Sequence, residues 1–388
     1  MIKQLLKMLW KQRRSRSGIF VEQLLVALIL MLAAVSVSEI VQRYKTPGML
    51  NVDNTFYIDY MCSEDVRPEE RAAIRQNEGI IIENLKKLPF VEVISSSYNL
   101  IPYKKDDYFY TKHSSDSIFV DDRRFLAVVK HSDEFGATAF KLEMEEGSWL
   151  ENHTLPDGSA PAVITRQLAD KAGWTNAVGK KITLRGKVYT IAGVVAGLKQ
   201  EPFKPSPVAI VTLLPDGGEN LVRIKPGNDQ EFIDAFYGEF QRLISDKRVE
   251  PILSDMQAMK VTWVSMSILE VMLQIIPTAF LFIFAFIGTF GLSWMLSRRR
   301  QKEFGLRIAM GSTPKQLMAI VIGESLLITC IAVVPALLLS FFIYEYTMVH
   351  VVGVGVTVGI MLLFSAVSAW YPAWKVSRVN PAEALQYE

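Results

Sequence analysis

Cysteine and histidine are scarce in this sequence, and their scarcity limits its chemistry. Two cysteines, Cys62 and Cys330, stand in a chain of 388 residues. The hydropathy pattern described below puts the first outside a membrane and the second inside a membrane helix, so a disulfide between them is excluded. The four histidines, His113, His131, His153 and His350, lie far apart, and no pair has the spacing of metal ligands. A strong charge bias is also missing: the formal net charge is +2, so no bulk basic character points to nucleic acid. Catalytic motifs are missing as well. There is no HExxH zinc-protease helix and no GxSxG nucleophile elbow. The nearest approach to a phosphate-binding loop runs from Gly173 to Gly179-Lys180-Lys181. Its glycine spacing is one residue too long and Lys181 stands where Ser or Thr would hold magnesium, so it reads as a helix-to-strand connection. With no nucleophile, metal or paired-acid constellation, the chain is expected to be a non-catalytic protein that binds no cofactor directly.

What is abundant is apolar residue, half of the chain, with a positive mean hydropathy that is unusual for a soluble protein of this length. A first apolar stretch, residues 18–38, is long enough to cross a bilayer, which takes about 20 residues. It follows Lys3, Lys7, Lys11, Arg13, Arg14 and Arg16 with no acid among them. The stretch exceeds the usual apolar core of a signal peptide, so an uncleaved anchor is expected, although Ser36-Val37-Ser38 loosely mimics a cleavage site. Residues 39–266 then mix charges of both signs without any spanning run. Further spans are expected at 267–297, 317–344 and 351–371. The loop at 298–316 holds Arg298, Arg299, Arg300, Lys302, Arg307 and Lys315 against the single acid Glu303, whereas the short loop at 345–350 has no Lys or Arg. The tail at 372–388 carries Lys375 and Arg378. By the positive-inside rule both termini and the 298–316 loop are cytoplasmic, and the large domain is outside. The expected fold class is therefore membrane α-helical, four helices in a one-plus-three arrangement, with a large α+β extracytoplasmic domain inserted between helices 1 and 2.

Within that domain, residues 55–60 read as a strand. Residues 67–87 have helical periodicity, with Ile74, Ile81, Ile82 and Leu85 on one side, and 91–95 read as another strand. A similar pattern, strand 221–225 and helix 229–244, recurs after an interruption. The interruption shows a short helix at 164–172 with Thr165 as its cap, and strands at 181–184 and 188–195 around Arg185-Gly186-Lys187. Two lobes follow: lobe 1 at about 50–103 and 216–262, lobe 2 at about 104–215. No pocket is marked by the sequence.

Charged groups in the spans need an account. Glu22 and Glu270 stand near predicted ends. Glu324 lies about two turns into the third span, where a bare carboxylate is costly, so it is expected to face other helices or the cytoplasmic boundary in a hydrogen-bonding role; a proton relay would need more ionisable groups. Gly355-x-x-x-Gly359 reads as a close helix-packing face. In the cytoplasmic loop, Glu303 to Met310 forms a short amphipathic helix with Phe304, Leu306 and Ile308 as its apolar members. Gly311 suits the left-handed stop, and Thr313-Pro314 starts the next helix as N-cap and N1.

The run Glu303-Phe304-Gly305-Leu306-Arg307-Ile308-Ala309-Met310-Gly311 resembles the E-I/F-G-L-R-x-A-L/M-G segment of FtsX-like permeases, the membrane subunits of type VII, or MacB-like, ABC transporters. Glu324 fits the same family, as do Tyr371-Pro372-Ala373 and the ending Asn380-Pro381-Ala382-Glu383-Ala384-Leu385. The segment 161–195, with Leu168-Ala169, Gly179-Lys180 and Ile191-Ala192-Gly193-Val194-Val195, is similar to the family's periplasmic domain. Unlike the longest members, this chain shows no fused ATPase domain and no second four-helix unit.

The resemblance implies a permease subunit of the bacterial inner membrane, paired with a second permease chain, the same or a related one, and with two copies of a P-loop ATPase that binds the ATP and magnesium. It implies that Glu303, Phe304, Gly305, Arg307, Ala309 and Gly311 belong to a coupling helix that docks on the ATPase. ATP-driven movement is then passed to the extracytoplasmic domain, a mechanism called mechanotransmission, in the service of export, lipoprotein release or envelope remodelling. Some members add a periplasmic adaptor or outer-membrane component. The alternative is a receptor or regulatory scaffold that signals to cell-wall hydrolases.

Overall fold

A computed structural model describes residues 13–104, 115–121, 123–153, 155, 157–215, 217–343 and 347–378. The Asn380–Leu385 ending, Glu345, His113 and Lys3, Lys7 and Lys11 lie outside the described residues. The chain divides into two compact units, Met1–Gln42 with Ile268–Glu388, and Arg43–Ser267.

Among the described residues, four helices are long and apolar enough to cross a membrane: α1 (Arg13–Lys45), α6 (Met256–Arg299), α8 (Pro314–Ile343) and α9 (Met348–Val376). Helix α6 begins well before the span expected at 267. The side chain of Asp255 accepts a hydrogen bond from the Gln257 amide at 2.8 Å, which caps the start, and no breaker intervenes before the apolar run. Its 44 residues rise about 66 Å, more than twice a hydrocarbon core of about 30 Å. Helix α9 likewise continues through Pro372 to Val376, past the end expected at 371.

The buried side of the membrane unit gathers Val26, Ala27, Met31 and Val35 of α1 with Ala285, Val333, Ala336, Met361 and Phe364. Some of the polar groups inside it pair across helices. Thr329 Oγ1 donates to Gln23 Oε1 at 2.8 Å, and the Ser325 and Ser365 hydroxyls meet at 2.8 Å. Such pairs satisfy groups that lipid cannot. Within this chain Gly355 and Gly359, the expected packing face, meet no other helix. Both glycines are exposed, and an added Cβ at either meets nothing within 4 Å. The packed stripe of α9 runs instead through Gly353, Thr357, Met361, Phe364, Ser365 and Ser368. At Gly353 a Cβ would lie 2.8 Å from Val35 Cα, so this glycine is where α1 and α9 approach closely.

The inserted unit is built on one continuous hydrogen-bonded system of eleven strands among the described residues. An open half has the order β11 (Val249–Asp255), β1 (Thr55–Cys62), β10 (Glu219–Ile224), β2 (Val91–Tyr98). One face is covered by α2 (Pro68–Leu85) and α5 (Asp229–Leu243). Ile74, Ile81, Ile82 and Leu85 of α2, and Phe232, Phe236 and Phe240 of α5, pack there on Phe56, Ile58, Ile94 and Val222. Spacings of three and four put these residues on one side of each helix.

The second half closes on itself. β4 (Arg123–Ser132), β3 (Ser115–Val120), β7 (Lys181–Leu184), β8 (Lys187–Val195), β6 (Ala160–Thr165) and β9 (Ala209–Leu213) pair in turn, and β9 returns to β4 in parallel register from Val128↔Ala209 to Ser132↔Leu213. β5 (Met144–Gly147) adds to β8. Alternation along these strands splits their side chains between two cores. Ala127, Val129, Ala162, Ile164 and Ile210 turn into the ring, whereas Val128, Val163, Ala209 and Val211 turn to a central core shared with Tyr57 and Leu221 of the open half and with Phe140 of α3 (Gly136–Phe140). Both faces are therefore covered, which explains the unbroken burial of β6 after its first residue, Ala160.

Thr165 sits at the N-cap of α4 (Arg166–Ala172), but its hydroxyl does not cap. It accepts from the Ala209 amide at 3.0 Å and donates to the Pro207 carbonyl at 3.1 Å, because the residue ends a strand and faces its neighbour. Ile164 belongs to β6 rather than to the helix. The turn between β7 and β8 is two residues, Arg185 (φ 50°) and Gly186 (φ 76°), both left-handed as a tight hairpin requires.

Candidate functional site

The loop between α6 and α8 folds as a short helix, α7 (Gln301–Ala309). Its end is built by two hydrogen bonds. The Gly311 amide donates to the Ile308 carbonyl at 2.9 Å, and the Ser312 amide donates to the Arg307 carbonyl at 2.9 Å. Gly311, with φ +94°, supplies the left-handed residue on which this closure depends. The next helix starts on a reciprocal cap: the Thr313 amide donates to Gln316 Oε1 at 3.0 Å, and the Gln316 amide donates to Thr313 Oγ1 at 3.4 Å.

One side of α7 is locked. Phe304 is fully buried with Leu317 of α8 and Val376 of α9, and Ile308 and Val321 pack beside them. Gly305 is buried too. Arg300, at the N-cap position of α7, is the hub. Its Nε and Nη2 donate to the two oxygens of Glu303 at 2.8 and 3.2 Å, and its Nη1 donates to Glu324 Oε2 at 2.7 Å. The guanidinium also lies 4.9 Å over the Phe304 ring. Arg307 donates to Glu303 Oε1 at 2.7 Å, so the chain of charges runs Arg307–Glu303–Arg300–Glu324. The Glu324 side chain is 4% exposed and that of Arg300 12%, so this charge-assisted hydrogen bond is held away from water.

The other side is open. Leu306 is 53% exposed and Met310 71%. Ala309 and Gly311 are exposed beside them. Of the three apolar members expected for this helix, Leu306 stands apart from Phe304 and Ile308. Two residues beyond Phe304 the helix has turned by about 200°, so Leu306 points the opposite way. In the sequence Arg300 follows Arg298 and Arg299, and nothing local distinguishes it from them. The available signal was Glu324, a carboxylate in an apolar helix that needs a cation, with an unassigned arginine at the preceding helix end.

In the inserted unit, a broad groove lies along α2, lined by Asp59, Arg75, Glu78, Lys87, Ser96 and Asn220. Burial, with Asp59 nearby, holds the Glu78 carboxyl above its ordinary range. No group of three or more metal-ligating side chains occurs among the described residues.

Two sequence families match this architecture. The MacB-like periplasmic core domain matches residues 24–262, and the C-terminal domain of FtsX-like permeases matches residues 275–381. No curated protein matches the chain. Among solved structures, the periplasmic region of MacB from Actinobacillus actinomycetemcomitans is 13% identical, with a TM-score of 0.37, covering 55% of this chain and 93% of its own. The extracellular domain of the noncanonic ABC-type transporter YknZ from Gram-positive bacteria is 14% identical, with a TM-score of 0.36, covering 51% of this chain and 100% of its own. With the core-domain match spanning more than half of its length, the chain belongs to the MacB-like, FtsX-like family of type VII ABC transporter-like membrane permeases.

Proposed function

We propose that this permease works with a separate P-loop ATPase, present in two copies beside two permease chains, and that ATP hydrolysis there is converted into movement of the extracytoplasmic domain for export or envelope-related transport. In this reading both termini and α7 lie on the cytoplasmic side. α7 is the coupling helix, with Leu306, Ala309, Met310 and Gly311 as its docking face and Glu303, Phe304, Gly305 and Arg307 holding it in shape.

The observation that carries the reading is the two-sidedness of α7. Its inner side is bonded to α8 through Arg300–Glu324 and packed on α8 and α9 through Phe304, while its outer side leaves two large apolar residues bare. A helix held this way passes a push on its outer side to the spans. The mutual pairing of polar side chains inside the bundle also favours transmission of movement over conduction of a solute.

The test is to purify the tagged chain from its native membrane in mild detergent and count what accompanies it. The expected result is a P-loop ATPase, two copies per two permease chains. Leu306→Glu and Met310→Glu should each release it while leaving the thermal midpoint unchanged, since exposed substitutions usually cost less than about 0.5 kcal/mol. Recovery of a cell-wall hydrolase with no ATPase would overturn the reading in favour of a signalling scaffold.

A further inference from the structure

The unit Arg43–Ser267 contains a buried lysine with an unusual set of partners. Lys199 lies in the segment between β8 and β9 of the strand ring and is 0% exposed. Its ammonium donates to the carbonyl of Thr46 at 2.6 Å and to that of Arg43. Arg43 is in the last turn of α1, at the negative end of its dipole, and its carbonyl also accepts from the Thr46 amide at 3.3 Å. The dipole there offsets part of the cost of desolvating the cation.

The contact is more than one side chain. The Lys199 amide donates to the Gly48 carbonyl at 2.8 Å, and Met49 bridges to Lys199. Gly48 has φ +101°, and a Cβ on it would lie 2.6 Å from Gly197 Cα, so two backbones touch. Ser206 Oγ accepts from the Leu198 amide at 3.0 Å, and the ring of Phe203 stacks on Tyr44 at 5.8 Å. The segment from Gly197 to Ser206 thus holds Arg43 and Tyr44 of α1 together with Thr46, Gly48 and Met49 that follow it.

The second connection arrives elsewhere. α6 grows directly out of β11, the edge strand of the open half, which pairs with β1 from Phe56↔Asp255 to Cys62↔Val249. One long helix is therefore gripped by the ring and the other is continuous with the open sheet.

We infer that Lys199 is a positioning residue that holds the end of α1 to the strand ring, so that displacement of α1 is delivered to the ring while displacement of α6 is delivered to the open half through β11. The transmission role rests on the ATP-driven reading above; the grip itself does not.

The experiment places spin labels on the full chain in nanodiscs at Lys45 and Lys187, with a control pair at Asp121 and Lys187 inside the ring. Lys199→Met keeps the length of the side chain and removes its donors. The Lys45–Lys187 pair should lose its single narrow distance peak while the control keeps its own; an unchanged Lys45–Lys187 peak overturns the grip. Should Lys199→Met broaden the control as well, Phe203→Ala decides, because it removes the Tyr44 contact outside the ring core: broadening confined to Lys45–Lys187 supports the grip, and no broadening overturns it. With the ATPase and ATP added, a Lys187–Glu250 pair should shift in the wild type and not in Lys199→Met, although ATP is still hydrolysed. A full shift in Lys199→Met overturns the transmission role. No shift in the wild type defeats the ATP-driven reading and with it the transmission role, and leaves the grip standing.

Discussion

Arg300 and Glu324 form an ion pair 24 positions apart in sequence, 2.7 Å apart in space, and nearly closed to solvent. The arginine stands at the N-cap of α7 and the carboxylate lies inside α8, so the pair joins the loop helix to a membrane span.

Removing one partner should be worse than removing both. Arg300→Met leaves a buried carboxylate uncompensated, and such a break costs about 3–5 kcal/mol. Arg300→Met with Glu324→Met replaces the pair by apolar groups of similar length and should recover most of the loss. Thermal unfolding of the purified chain in detergent checks the order. A single variant as stable as the double would show that the pair contributes nothing.

Glycines in α9 should separate by face. Gly353→Ala puts a methyl group 2.8 Å from Val35 Cα and forces α1 and α9 apart, an overpacking cost of about 1–3 kcal/mol. Gly355→Ala and Gly359→Ala meet nothing within 4 Å and should stay within about 0.5 kcal/mol of the parent. Midpoints of denaturation for the three variants give the comparison directly.

Glu78 should make the inserted domain less stable as pH rises. Its carboxyl is held above the ordinary value of 4.5 by burial and by the neighbouring Asp59, with Arg75 opposing. The folded protein therefore keeps this proton better than the unfolded chain does. Stability is greater below 4.5 and declines as pH rises from there through the raised value. Glu78→Gln removes this decline, so its melting temperature should exceed that of the wild type above the window and converge with it, or fall below it, under acid conditions. A constant difference between the two at every pH would refute the assignment.

The helical part of this structure was legible because its signals are local. A span needs a run of apolar residues, a stop needs a glycine such as Gly311, and a start needs a cap such as Thr313-Pro314, all readable in one window. The same holds for α2, whose buried residues Ile74, Ile81, Ile82 and Leu85 are those its periodicity selects. β11 was not legible, since Pro251 lies within it; an edge strand accommodates a proline that an inner strand would not. The early start of α6 at Met256 was hidden for a different reason: its first turns are not apolar enough to look like membrane and are capped from Asp255.

By itself, then, the sequence determined the number of spans, the place of the inserted domain, the amphipathic loop helix with its two ends, and the family resemblance, all of which depend on residue type within a few turns. Only the tertiary structure decided that Arg300 turns inward to Glu324 while Leu306 turns out, that Gly353 rather than Gly355 or Gly359 meets α1, that six strands close into a ring through β4 and β9, and that Lys199 reaches the end of α1. Each of these joins positions distant in sequence or selects one face of a helix among several of similar composition. Burial, hydrogen-bond satisfaction and backbone clearance make that choice, and they exist only once the elements have packed.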